Sequence, residues 1–511
     1  MIFTLTPKSH IKKNNSVSKL TFQKLTQHLD EAADILRGDI DPSEFRQPIM
    51  TLMFLKRLND EFIAKAEKLE KTYPKEIAWE DFDYHDFVIP EKARWKKIQD
   101  CTDNLGEMIN KVSEIIEHKN SSLKGVFTNT DYNNKNKFPD DTLLELVELF
   151  SKYNLSTSNL ENEDIFGQAY EHLLERFADS AGKSAGEFFT PREVVALLVK
   201  LLDPSDGDKI CDPTCGSGGM LIWASKFIKE KGGNPKDLEL HGQERNYGNY
   251  GMCRMNIILH GVKGTRIEHQ NVLSNPLLLD NSGNLLKYDK VIANYPFSQN
   301  WNEKNYASKD NWNRFQFGIP SSKKRADYAF IQHMYSILND TGKATIISAQ
   351  GTLFRGDSET DIRKALVEMD HIETIISLPA NLFYATGIPA CIIILNKNKP
   401  KDRENKILFV YAVNDFVKDK KRDKLDDKDI KKIVTAYTKF KNNDKYCYVA
   451  DIKEIEKNKF NLNVQKYVDI LEPEEVIDVQ EAYDELSKHE SEQKEIVMNV
   501  KSDLEELGIK T

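Results

Sequence analysis

At 511 residues the chain is long enough for about two to four domains, and its net charge of −9 excludes a protein that grips nucleic acid through bulk basicity alone. Its hydrophobic and charged fractions, 40% and 30%, are those of an ordinary globular protein, and no apolar run approaches the ~20 residues that span a bilayer. Met1 to Asn15 is polar and lysine-bearing without an apolar signal core, so a cytoplasmic location with no membrane partner is expected. Cys101, Cys211, Cys215, Cys253, Cys391 and Cys447 form no CxxC pair and have no histidine at zinc-ligand spacing, so reduced thiols and no metal site are expected.

Residues 1–16 read as a flexible N-terminus, and from Leu20 the pattern turns helical. Phe22, Leu25, Leu29, Ala33 and Leu36 recur on one helix face. Asp41-Pro42-Ser43-Glu44 has the form of a helix start, a cap followed by proline, and the helix beyond it carries Ile49, Leu52, Leu55 and Leu58. Lys119 to Asp141 is rich in Asn, Lys, Ser and Asp and predicts a long loop before helical signals resume at Leu143 to Tyr153. Residues 17–160 are therefore expected to form an N-terminal helical domain. Over 161–415 short β-branched runs alternate with helical patterns, at 209–211, 238–241, 290–293, 344–347 and 390–395. This alternation predicts an α/β domain, a Rossmann-like and mostly parallel sheet with helices on both faces.

Residues 416–472 form a mixed segment whose lysine- and aspartate-rich part reads as solvated surface. In 473–511, Val476, Val479, Tyr483, Leu486, Val497, Val500, Leu504 and Leu507 keep three-four spacing, with Glu490 and Gln493 on the same seam. A C-terminal helix of about five heptads in contact with another chain is expected there.

Asp212-Pro213-Thr214-Cys215-Gly216-Ser217-Gly218-Gly219 follows one predicted strand and precedes a helix near Met220. Glycines at such a turn let a ligand approach the backbone and let the helix pack on the strand. Glu244 ends the next strand, where a carboxylate accepts both hydroxyls of a ribose. Together these features point to a nucleoside ligand. Ala181-Gly182-Lys183-Ser184 has only the end of a phosphate loop, because position 177 is Phe. Gly186-Glu187-Phe188-Phe189-Thr190-Pro191-Arg192 reads as an aromatic turn leading into a helix capped by Thr190, with Pro191 at its first position.

Asn294-Tyr295-Pro296-Phe297 follows the strand ending at Ala293, which in a doubly wound sheet puts it at the carboxyl edge where ligands bind. These residue types suit chemistry on an aromatic amine, whose lone pair is delocalised into its ring. A side-chain amide oxygen and a backbone carbonyl each accept one amine hydrogen and localise the lone pair toward a methyl donor. Phe297 offers a face to a base rotated out of a duplex. Alone, an Asn-x-Pro-aromatic match arises in roughly one chain in ten of this length. Its register, after a strand and downstream of the Gly-rich turn and Glu244, is what carries the reading.

These residues resemble those of the modification (M) subunit of type I restriction-modification systems, an adenine-specific DNA methyltransferase. The resemblance covers nearly the whole chain. Further markers are Leu36-Arg37-Gly38, Phe54-Leu55-Lys56-Arg57, Ala326-Asp327-Tyr328-Ala329-Phe330, Gly351-Thr352-Leu353-Phe354-Arg355-Gly356, Leu378-Pro379-Ala380-Asn381-Leu382-Phe383 and Thr386-Gly387-Ile388-Pro389. It implies transfer of a methyl group from the cofactor S-adenosyl-L-methionine to the exocyclic amine of adenine in DNA. By position, Glu187, Phe188, Phe189, Thr190, Pro191 and Arg192 would line the cofactor pocket together with Pro213, Thr214, Gly216, Ser217, Gly218 and Gly219. Asp212 would face the methionine part, Glu244 the ribose, and Asn271 and Val272 the cofactor adenine. Asn294 would be the catalytic amide, Tyr295 and Pro296 the rest of the catalytic turn, and Phe297 the stacking ring.

The chain departs from the family pattern at two places. A Gly-Asp pair often stands where this chain has Gln270-Asn271, and proline is usual at Tyr295. The group needed at the latter is a backbone carbonyl, which tyrosine also has, so retained activity is expected. The resemblance implies DNA, a specificity (S) subunit, a second M chain and a motor-nuclease restriction (R) subunit as partners. The C-terminal seam and the acidic net charge fit borrowed DNA contact. The residues by themselves also admit an RNA or protein-glutamine methyltransferase, a stand-alone adenine methyltransferase, and a scaffold without activity. Residues 300–325, with Trp301, Trp312 and the run Lys323-Lys324-Arg325, read either as a segment that orders on DNA or as a surface loop.

Overall fold

The computed structural model describes residues 19–36, 46–127, 130–162, 164–180, 189–297, 299–302, 306–320, 325–384, 387–470 and 479–508. They belong to two units that divide between residues 468 and 469.

In the first unit Thr21 caps helix α1 (Phe22–Ile35), its hydroxyl accepting from the Lys24 amide, and the expected apolar face buries Leu25, Leu29 and Ala33. Helix α2 (Arg46–Leu69) buries Ile49, Leu52, Leu55 and Leu58; its expected start at Asp41-Pro42 lies outside the described residues. Helices α3 (Lys75–Glu80), α4 (Trp95–Gln99), α5 (Leu105–Lys119) and α6 (Asp140–Ser151) follow, with mainly irregular chain over 120–127 and 130–139. Helix α7 (Ile165–Ser180) joins the same apolar core through Phe166, Tyr170, Leu173 and Leu174, so the helical layer extends past residue 160.

Helix α8 (Arg192–Leu202) leads into the sheet. Its strands are β1 (Lys209–Asp212), β2 (Glu239–Glu244), β3 (Thr265–His269), β4 (Tyr288–Asn294), β5 (Leu338–Ala349), β6 (Ile372–Ser377), β7 (Ala390–Asn396), β8 (Lys406–Tyr411) and β9 (Cys447–Asp451). The strand order is β3-β2-β1-β4-β5-β7-β6-β8-β9. The strands β3 to β5 in this order pair in parallel, and β7 runs antiparallel between β5 and β6. Every residue of β7, Ala390 to Asn396, is buried, as a strand covered on both faces requires. Helices α9 (Gly219–Glu230), α10 (Tyr247–Leu259), α11 (Asp327–Ser336), α12 (Ser358–Glu368), α13 (Asp427–Lys439) and α14 (Ile452–Lys457) complete the unit. The segment read as a mixed stretch from 416 supplies β9, which pairs with β8, and α13, whose Ile430, Ile433 and Tyr437 enter the sheet's core.

Strand β1 lies between β2 and β4, so the chain direction of winding reverses at the β1–β4 pair. Loops leaving the carboxyl ends of two such strands splay apart and open a crevice. The Gly-rich turn leaves β1 and Asn294 ends β4, which sets both at that crevice about one strand spacing apart.

The second unit is helix α15 (Val479–Glu506). Its seam residues Tyr483, Leu486, Val497 and Val500 are exposed, as is Leu507 just beyond it; Val476 lies outside the described residues. No helix of the described residues is long and apolar enough to cross a membrane.

Candidate functional site

The turn after β1 is built by positive-φ glycines and two strand-end carboxylates. Gly218 has φ +78°, and a Cβ there would come 2.7 Å from Cys253 Sγ, so the turn packs against α10 only without a side chain. Glu244 Oε2 accepts from the Gly216 amide at 2.9 Å, and Oε1 accepts from the Asn246 amide at 2.7 Å. The carboxylate that ends β2 thus ties the Gly-rich turn to its own strand. Asp212, at the end of β1, is buried and accepts from the Thr214 amide at 3.0 Å. Burial pushes its carboxyl up to about 8, against the Thr214 amide and with help from the neighbouring Glu244 charge.

Asn294 Nδ2 donates to Thr190 Oγ1 at 3.0 Å. Its Oδ1 has no hydrogen-bond partner among the described residues, and the side chain is half-buried in the crevice. The expected Thr190 cap is not formed: Pro191 is the residue flanking α8, with no side-chain cap, because the Thr190 hydroxyl is engaged by Asn294 instead. Tyr295 turns its ring into the core. It stacks on Phe330 at 5.2 Å and meets Phe297 edge-on at 5.7 Å, and its hydroxyl lies 2.5 Å from Ser348 Oγ. Ser348 Oγ in turn lies 3.0 Å from Thr352 Oγ1. Tyrosine therefore anchors the 294–297 turn from below, a rigidity that proline would supply by its ring. Phe297 is half-buried and stands edge-on to Phe383 at 6.3 Å.

Two open clefts meet at these residues. One, of about 530 Å³, is lined by Phe189, Thr190, Arg192, Asp212, Gly216 and Ser217 among others. The second, of about 1530 Å³, is lined by Pro213, Glu244, Val272, Pro296 and Phe297 among others. Thr214 and Asn294 line both. Asn271 stands apart from the expectation: it is not among the residues lining either cleft, and its Oδ1 accepts from the Leu273 amide at 3.0 Å, closing its own turn. Glu187 and Phe188, with the 181–184 segment, lie outside the described residues.

Three residues that motif reading passes over support the site. Fully buried Gln243 donates to the Gln270 and Asn275 carbonyls and accepts from the Leu277 amide, which shapes the loop carrying Val272. Buried Arg314 pairs with Asp310 at 2.6 Å and donates to the Val272 and Leu273 carbonyls at 2.8 and 2.9 Å. The described part of 300–325 is therefore tied to the loop carrying Val272. Glu171 of α7 reaches the floor of the first cleft.

The profile of the N-6 DNA methylase family matches residues 161–476, and that of the HsdM N-terminal domain matches 25–150. The chain belongs to the N-6 DNA methylase family. It is 34% identical to the type I restriction enzyme MjaVIII methylase subunit of Methanocaldococcus jannaschii, over 96% of this chain and 86% of that one. It is 28% identical to the MpnII methylase subunit of Mycoplasma pneumoniae, over 94% and 96% of the two chains. The crystal structure of a type I restriction-modification methyltransferase subunit from Streptococcus thermophilus superposes with a TM-score of 0.77 at 29% identity, covering 88% of this chain and all of that one. The methylase is thus a DNA-adenine methyltransferase with S-adenosylmethionine as its methyl donor. The crevice fits that donor on its own terms. Carboxylates end two adjacent strands, a glycine turn faces them, and Asn256 Oδ1 on the lining is buried with no partner among the described residues.

Proposed function

We propose that this methylase is the modification subunit of a type I complex, methylating adenine at sites chosen by a separate specificity subunit, with Asn294 as the catalytic amide. The observation that carries the assignment is the Asn294–Thr190 hydrogen bond at the junction of the two clefts. The donor supplies an electrophilic methyl group on a sulfonium. Asp212 would face its methionine end and Glu244 its ribose, each at a strand end beside the Gly-rich turn. Val272 would flank the cofactor adenine. With its nitrogen held by Thr190, Asn294 offers Oδ1 to one hydrogen of the target amine, and the Tyr295 carbonyl accepts the other. So held, the amine would keep its lone pair free for the methyl group that a bound donor would supply, with the sulfonium C–S bond breaking and one amine proton leaving to solvent. These residues would contribute positioning plus electrostatics without a covalent enzyme intermediate. Phe297 is the ring on which the extruded base would stack.

A long helix with exposed Tyr483, Leu486, Val497 and Val500 and a net charge of −9 support a partner that supplies DNA contact. In this reading the complex holds a specificity subunit, a second methylase chain and a motor-nuclease subunit. The test is methyl transfer from labelled donor to DNA, with nucleoside analysis, for the chain alone and with its candidate specificity subunit. N6-methyladenine only with the partner is expected. Methyladenine from the chain alone would make it a stand-alone enzyme, and cofactor binding without any methylation would make it a scaffold.

A further inference from the structure

Helix α7, packed in the helical layer, brings a carboxylate to the floor of the first cleft. Glu171 is 5% exposed and lines that cleft beside Arg192. Arg192 Nε lies 3.5 Å from Oε2, while Lys226 Nζ at 3.5 Å and His260 Nε2 at 3.3 Å approach Oε1. Burial pushes the carboxyl up, but His260, Lys226 and Arg192 outweigh it and hold it at about 2, so it stays ionised. Glu171 Oε1, Arg192 Nε and His260 Nε2 are nevertheless buried with no hydrogen bond among the described residues. Such groups cost stability unless something completes them, and Glu171 and Arg192 line the cleft.

The cluster reaches the Gly-rich turn. His260 Nδ1 lies 2.9 Å from the Asn256 carbonyl, and Asn256 Nδ2 donates to the Ser217 carbonyl at 2.9 Å. The approach of α7 to α10 depends on Gly167, where a Cβ would fall 2.6 Å from the His260 ring.

We infer that Glu171 is a positioning residue for the methyl donor: it holds Arg192 at the cleft floor and, through His260 and Asn256, steadies the Gly-rich turn, so that the helical layer completes the cofactor site. The inference rests on reading this crevice as the donor site. Arg192 and Lys226 repel one another, and the Glu171 carboxylate between them keeps Arg192 on the cleft lining, within reach of an anionic group there. The amino-acid end of the donor carries such a carboxylate, shared by its product S-adenosylhomocysteine. Losing the Glu171 charge would also leave Arg192 uncompensated at a cleft that takes a cationic donor.

E171Q keeps the side-chain shape and removes the charge. Calorimetric titration of the full chain with S-adenosylmethionine and with S-adenosylhomocysteine is expected to show both Kd values raised about tenfold. With the specificity subunit, kcat at saturating donor and the Kd for DNA are expected to match the unsubstituted enzyme, the pattern of lost uniform binding. E171D, which keeps the charge on a shorter stem, recovers part of the affinity. Equal donor affinity for E171Q and the unsubstituted chain, when both methylate, overturns the inference. Should E171Q fail to fold, G167A displaces His260 from Glu171 while leaving every charge in place. It carries the same expectation, and unchanged affinity in G167A overturns the inference equally. Absence of methylation by the unsubstituted complex is a different outcome, and it refutes the earlier reading of the site instead.

Discussion

Thr190 Oγ1 accepts the Asn294 amide nitrogen at 3.0 Å, joining residues 104 positions apart across the mouth of the sheet. An amide whose nitrogen is engaged on one side has its oxygen turned to the other, toward the joint of the two clefts. T190V keeps the volume and removes the acceptor. One lost hydrogen bond of ~1.4 kcal/mol predicts a fall in kcat of about tenfold with donor Kd unchanged, and T190S restores the rate. N294A should cost about 10²–10³ in kcat while the donor still binds. Single-turnover methylation at saturating donor checks both, and a full rate in N294A would remove Asn294 from the mechanism.

Tyr295 tests what the usual proline does. The tyrosine hydroxyl is 2.5 Å from Ser348 Oγ, which keeps Thr352 as a second partner, so Y295F should lose only about 1 kcal/mol of stability and methylate near the normal rate. Y295P restores the common residue but empties the space against Phe330 and should lower stability by about 3–5 kcal/mol. Thermal melts of the two variants beside their methylation rates separate anchoring from chemistry. A large rate loss in Y295F would show that the hydroxyl acts in the reaction.

The turns that carry backbone chemistry were legible in the sequence, because glycines after a strand and an acid at the next strand end leave a local mark. Thr-Pro before a helix has the local form of a cap, but the Thr190 hydroxyl accepts from Asn294 at the end of β4, a partner that local sequence does not show. Glu171, Arg314 and Gln243 left no mark at all. A charged or amide side chain in an amphipathic stretch looks the same whether it meets water or a buried partner, and only tertiary packing decides. The same limit hid β9 and α13, whose short apolar sets are embedded in lysine- and aspartate-rich surface.

Arg314 links the segment after the 294–297 turn to the loop bearing Val272. Its guanidinium serves Asp310 and two carbonyls at once, which an ammonium on a flexible stem does not reproduce. R314K is therefore expected to fold with a loosened Val272 loop and, if that loop flanks the cofactor adenine as proposed, to raise the donor Kd about tenfold. R314M leaves the Asp310 carboxylate, 4% exposed, without its cation and should lose about 3–5 kcal/mol. Donor titration of R314K and a denaturant melt of R314M check the two effects, and normal donor affinity in R314K would confine Arg314 to stability.

If Asp212 faces the methionine end of the donor as proposed, donor binding is expected to depend on pH. With its carboxyl raised from 3.8 to about 8, the cofactor-free protein holds a proton there at neutral pH that the unfolded chain has released. The ligand-free fold therefore loses stability as pH rises from about 4 toward 8, the reverse of an ion-paired carboxylate. A donor with a positive methionine end favours the ionised form, so below about pH 8 binding expels a proton and affinity climbs with pH, by up to about tenfold per unit, before levelling above 8. Calorimetry in two buffers of different ionisation enthalpy at pH 6.5 reads the proton directly. D212N should bind more weakly at pH 8 and lose the pH slope. Binding to the unsubstituted chain without proton release would mean that Asp212 does not face the charged end of the donor.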